Sequence, residues 1–126
     1  MEVRKKARVL VVEDEESVRQ ALARILENFG HDTVLAKDAV EGLAKFTESD
    51  GFDIILTDLS LPGPSGLDLA ASAKALRPGI PVILLSGWDI SEKEIKGSVE
   101  MVMSKPVKIK DMLDAIDKLV WKATEE

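Results

Sequence analysis

The chain has 126 residues, 45% of them hydrophobic and 32% charged, which fits one globular domain with a core of its own. With 17 basic against 23 acidic residues the net charge is −6, which argues against direct grip on nucleic acid, where affinity rests on neutralising phosphates. There is no cysteine, hence no disulfide framework or thiol chemistry, and no apolar run nears the roughly 20 residues of a membrane span.

In chain order, the basic group Arg4, Lys5, Lys6 and Arg8 reads as a solvated leader, with no signal-peptide core after it. Val9-Leu10-Val11-Val12 is a first strand-length run and ends at Glu13-Asp14. Val18, Ala21, Leu22, Ile25, Leu26 and Phe29 form one continuous helical stripe, stopped by Gly30. Thr33 to Ala36 is a short second strand. Asp38 caps a second helix, with Glu41 in capping-box spacing and Ala39, Gly42, Leu43 and Phe46 inward; Asp50-Gly51 breaks it. Asp53 to Thr57 is a third strand, apolar enough to be buried on both faces, and Asp58 closes it. A loop through Leu61-Pro62-Gly63-Pro64-Ser65-Gly66 leads to a helix with Leu69, Ala70, Ala73 and Leu76 inward, ended by Pro78-Gly79. Pro81 opens a fourth strand to Leu85, followed by Ser86. Ser91 to Glu94 is a capping box for a fourth, short helix that Gly97 ends. Val99 to Met103 is the fifth strand, closed by Lys105-Pro106, and a last helix buries Ile109, Met112, Leu113, Ile116 and Val120.

Five strand–helix repeats with no linker or low-complexity segment predict a (βα)5 α/β domain, a doubly wound parallel sheet of flavodoxin-like order 2-1-3-4-5. A single domain fills residues 1–126, with its core over about 7–122 between a charged leader and a tail. Ligands of such sheets bind at the carboxyl edge, at the switch point between strands 1 and 3. Glu13, Asp14 and Asp58 fall there, with Ser86 and Lys105 on the neighbouring strand ends.

Three carboxylates, a hydroxyl and an ammonium suit a hard metal ion beside a phosphoryl group. Asp58, between a buried strand and a Pro/Gly loop, is the candidate nucleophile for an acyl phosphate. Mg2+ takes one or two carboxylates and keeps waters and phosphate elsewhere, so Asp14 and Asp58 could ligate directly, with Glu13 acting through a water. Ser86 offers a donor to one phosphoryl oxygen. Lys105 offers a charge to another, or to Asp58 when no phosphate is bound. Taken singly, Glu15 and Glu16 are explained by the dipole of a helix N-terminus.

Glu13-Asp14, Asp58 within Leu56 to Gly66, Ser86-Gly87 and Lys105-Pro106 together resemble the CheY-like receiver domain of two-component response regulators, over about residues 7 to 122. The resemblance implies that Asp58 is the phosphoacceptor, charged by a sensor histidine kinase, a phosphotransfer protein or a small phosphodonor. It implies Asp14, Asp58 and the backbone carbonyl of Ser60 as Mg2+ ligands, Glu13 as the outer acid, Ser86 as the switch hydroxyl and Lys105 as the phosphate-pairing lysine. It also implies a cis Lys105–Pro106 bond, a cytoplasmic setting, kinase docking on the first helix, an output partner of unknown kind and no turnover of an external substrate. Whether the chain stands alone or is cut from a longer protein is open.

Two positions depart from the family. Val102 stands where an aromatic residue, three before the lysine, often rotates with the switch, so the signal is expected through the loop after strand 4 and the helix that follows. Residues 87 to 104, 18 in all, make a short connection from Ser86 to Lys105, which alters the face many relatives use to dimerise. The Ser-Gly-Trp stretch resembles receivers attached to or partnering hybrid kinases. Trp88 either limits water access to the phosphoaspartate or packs on its loop. His31, the only histidine, is expected to be exposed and away from the site, and Trp121 reads as partial core cover. Two other readings compete. A phosphatase of haloacid dehalogenase type needs a general-acid aspartate two residues after the nucleophile, where Ser60 stands. An interaction module that is never phosphorylated has no need of so complete a site.

Overall fold

The structure, a computed structural model, describes residues 6–87 and 98–121. Its strands are β1 (Arg8–Val12), β2 (Asp32–Ala36), β3 (Ile54–Asp58), β4 (Val82–Ser86) and β5 (Met101–Ser104). Its helices are α1 (Glu16–Asn28), α2 (Ala39–Thr47), α3 (Gly66–Leu76) and α4 (Ile109–Trp121). All strand pairs are parallel, in the order β2-β1-β3-β4-β5. The short helix expected over Ser91 to Gly97, and Trp88, lie outside the described residues.

Side chains alternate across a strand, and that alternation builds two cores. Val9, Val11, Ile54, Leu56, Ile83 and Leu85 face Leu22 and Leu26 of α1 and Met112, Leu113 and Ile116 of α4. Leu10, Val12, Ile55 and Val82 face Ala39 and Phe46 of α2 and Leu69, Ala70 and Ala73 of α3. The central strands β3 and β4 are buried at every residue, which explains their unbroken apolar sequence. Trp121 packs on the α1–α4 side as partial cover.

Helix ends follow local chemistry. Asp38 accepts from the Glu41 N–H, while the Glu41 carboxylate reaches one residue further back, to the Lys37 N–H. Ser65 and Asp68 form a full capping box at α3, a signal the loop-like composition around them had obscured. At the end of α1, Gly30 (φ 92°) bonds back to the Glu27 carbonyl and His31 to the Leu26 carbonyl. These two bonds define a Schellman motif, whose second residue past the helix turns onto the helix's last turn. This corrects the expectation for His31, which is buried at 2% exposure and accepts the Ala7 N–H on Nδ1 at 3.0 Å. It does lie beside the start of β2, at the edge opposite the acidic cluster.

Other differences sit at element ends. Phe29, Leu76 and Ile109 are 47%, 60% and 46% exposed because each caps or terminates a helix where it overhangs the sheet. Ala21 is exposed, and Ala23 takes its place against the core. β3 to β5 begin one or two residues later than expected. Asp53 turns its carboxylate to the Arg8 N–H, and Glu100 turns its own to the Val82 N–H, each at 2.8 Å.

The amino edge of the sheet is heavily cross-tied. Arg8 bonds Ser49 and lies 4.7 Å over the Phe52 ring, which stacks on Phe46 at 6.1 Å. Arg77 covers the other side of Phe46 at 5.8 Å and donates to the Asp50 and Phe52 carbonyls. Lys74 joins the Ile80 carbonyl to Glu100 at 2.7 and 2.8 Å.

Candidate functional site

At the carboxyl edge, β1 delivers Glu13 and Asp14, β3 ends on Asp58, β4 ends on Ser86, and β5 leads into Lys105. Cα partners across the β3–β4 and β4–β5 ladders are Asp58 with Leu85 and Ser86 with Ser104, so the strand ends are level. The ladder runs one bond beyond each strand: Leu59 N–H to the Leu85 carbonyl and Lys105 N–H to the Ser86 carbonyl, both at 2.8 Å. Asp58 is thereby held in the sheet at 6% exposure, and Ser86 at 2%.

Glu13, Asp14 and Asp58 bring carboxylate oxygens within 4.8 Å of one another. The Lys105 ammonium lies between two of them, 2.7 Å from Asp58 Oδ1 and 3.1 Å from Glu13 Oε1. The remaining Glu13 oxygen accepts the Glu15 N–H at 2.9 Å. Both oxygens of Glu13 are therefore engaged, whereas Asp14 is exposed toward the cleft. Burial pushes the Glu13 carboxyl above its ordinary range and the Asp58 charge adds to that, against the opposing pull of the Glu15 N–H and Lys105. For Lys105 burial works against the charge, but its bonds to Asp58 and Glu13 outweigh it and hold the ammonium above its usual value.

The Lys105–Pro106 peptide is cis. Ser60 is exposed two residues past Asp58, and Val102 is half-buried on β5. One contributor was missed by sequence reasoning. Gly66 opens α3 directly against the Asp58 backbone: its N–H bonds the Leu59 carbonyl at 2.9 Å, and a Cβ there would collide with the Asp58 carbonyl and crowd the Leu84 side chain at 2.9 Å. The available signal was a glycine at the first helical position after Ser65, where a helix former is the usual choice.

Strand order, carboxyl-edge placement and a lysine-bridged acidic cluster define a class, and comparison with known proteins names it. Residues 9–117 match the model of the response regulator receiver domain, and the chain belongs to that family. It is similar to the sensory transduction protein RegX3 of Mycolicibacterium smegmatis, with 35% identity over 111 residues, 86% of this chain and 48% of that protein. The chain thus spans about half the length of the curated relatives it matches. Among solved structures, a receiver domain protein from Clostridium thermocellum superposes with a TM-score of 0.87 at 29% identity, over 94% of this chain and 98% of the other. TrrA from Thermotoga maritima, in complex with Mg(2+)-BeF, gives a TM-score of 0.81 at 25% identity, over 90% of this chain and 98% of the other. No helix among the described residues is long and apolar enough to cross a membrane.

Proposed function

We propose that this receiver domain accepts a phosphoryl group on Asp58 from a sensor histidine kinase or phosphotransfer protein and changes shape to control a partner. The observation that carries the reading is the Lys105 bridge to Asp58 inside the Glu13–Asp14–Asp58 cluster. The donor set is all oxygen, three carboxylates and one peptide carbonyl, which fits Mg2+. Asp14, Asp58 and the Ser60 carbonyl would hold the ion, with Glu13, both of whose oxygens are engaged, acting through a water. When bound, Mg2+ supplies positive charge against the phosphoryl oxygens and relieves the repulsion within the cluster. The complex of TrrA with Mg(2+)-BeF supports that choice of ion.

The chain's own residues perform the transfer. A carboxylate oxygen of Asp58 attacks phosphorus, the bond from phosphorus to the donor nitrogen breaks, and that electron pair leaves with the donor imidazole. Lys105 exchanges its contact with Asp58 for one with a phosphoryl oxygen, and Ser86 donates its hydroxyl to another. Those new contacts differ in free energy between two arrangements of the loops after β3 and β4, and that difference shifts their populations. With Val102 in place of an aromatic side chain, the shift travels through these loops and the segment that follows. The domain modifies itself and turns over no external substrate. Partner docking on α1 and a cytoplasmic setting belong to this same reading.

Mass spectrometry after incubation with acetyl phosphate and Mg2+ tests it. One labile phosphoryl group on Asp58, absent from Asp58→Asn and absent without Mg2+, is expected. A label that persists in Asp58→Asn overturns the assignment.

A further inference from the structure

Asp14 stands in the acidic cluster, yet its exposed side chain rests on a loop, not a strand. The neighbouring Glu13 is fixed from several directions: its N–H bonds the Ala36 carbonyl at 3.1 Å, and its two carboxylate oxygens take Lys105 and Glu15. The loop's carbonyls point the other way, toward the flank of α1. There the half-buried Arg19 reaches back along its own helix, and Nη1 bonds the Glu13 carbonyl at 2.8 Å and lies 3.4 Å from that of Asp14. Its backbone N–H donates to the Glu15 carbonyl at 2.9 Å in the first turn.

We infer that Arg19 is a positioning residue of the acidic site: by gripping the Glu13 and Asp14 carbonyls from α1, it sets where the Asp14 carboxylate stands relative to Asp58 and so sets the affinity for a divalent cation. This rests on the Mg2+ reading of the cluster given above. Arg suits the task because Nη1 carries two N–H donors, held in the plane of a rigid guanidinium, and both carbonyls lie within its reach. Outer-sphere partners of this kind orient ligands without touching the ion, and their loss weakens binding by about tenfold or more.

Charge alone predicts the opposite sign. Arg19 is a cation at the backbone of Glu13 and Asp14, so removing it should raise the pull of the acidic cluster on another cation. The direction of change therefore separates positioning from electrostatics. The test is Mg2+, titrated as its chloride at fixed ionic strength, into wild type, Arg19→Met, Arg19→Lys and Asp14→Asn by isothermal titration calorimetry, with circular dichroism on each. Arg19→Met keeps the apolar stem and is expected to bind about tenfold more weakly, while Arg19→Lys recovers most of the loss. Arg19→Gln, neutral and two bonds too short to reach the same carbonyls, carries the same expectation if Arg19→Met does not fold. A neutral variant that binds as tightly as wild type, or tighter, overturns the positioning role alone. A wild type that binds no better than Asp14→Asn overturns the Mg2+ reading, and the inference with it.

Discussion

Replacing Lys105 by methionine keeps the length of the side chain and deletes the positive charge that bridges Asp58 and Glu13. Those two carboxylates are 6% and 2% exposed and stand within 4.8 Å of each other. At an effective dielectric near 20, two unit charges at that separation repel by about 3 kcal/mol. The Lys105 side chain is 32% exposed, so water already screens part of its contribution, and a net loss of about 2 kcal/mol is expected. In a domain of this length that corresponds to a fall in Tm of about 8 °C. The sign of its pH dependence follows from Glu13, which burial has already raised and which loss of Lys105 raises further. A carboxyl whose folded pKa exceeds its unfolded one binds more protons in the fold. Its contribution to stability is then full below the ordinary carboxylate range and is lost as pH rises through the interval up to the raised value. The variant's deficit should therefore be complete at neutral pH and shrink as pH falls through that interval. In wild type the raised Lys105 contributes stability below its unfolded value and loses it only at strongly alkaline pH. Thermal melts of both proteins in EDTA from pH 4 to 8 measure the difference. An unchanged Tm, or a deficit that does not vary with pH, would refute the view that Lys105 neutralises this pair.

Gly66→Ala places a methyl group against the Asp58 carbonyl, which is backbone and cannot swing aside. A loss of about 3 kcal/mol is expected in urea melts, at the upper end for overpacking, because the start of α3 must move; a loss below the error of the melt would show that the helix start yields freely. His31→Phe fills the same space but leaves the buried Ala7 N–H without its acceptor. It should cost about 1–3 kcal/mol and leave the proposed labelling of Asp58 by acetyl phosphate unchanged, and a change in labelling rate would mean that the amino edge communicates with the site.

Strand order and site placement were legible because both depend on patterns that tertiary packing only reinforces. Unbroken apolar runs announced β3 and β4, and polar residues at the ends of four runs announced the carboxyl edge. The capping role of Asp38 was readable because Asp and Glu41 stand at fixed spacing. Where the reading slipped, a side chain had been diverted to serve a distant backbone group. Asp53 and Glu100 satisfy amides at strand starts, and His31 turns inward with the Schellman motif to meet Ala7. The contacts of Arg19 with two loop carbonyls and the approach of Gly66 to Asp58 also need three-dimensional register. A helix stripe says nothing of where a helix overhangs its sheet, which is why Phe29, Leu76 and Ile109 were placed too deep.

The arginine–phenylalanine stack and the Lys74–Glu100 tie brace the sheet at its amino edge, the end opposite Asp58. A load applied at Asp58 would pass along strands whose far ends are tied side to side through Arg8, Phe52, Arg77 and Glu100. Such a brace resists displacement at the amino edge, as a clamp holds the fixed end of a beam. The phosphoryl transfer proposed for Asp58 would thus act at the end of the molecule opposite this anchor.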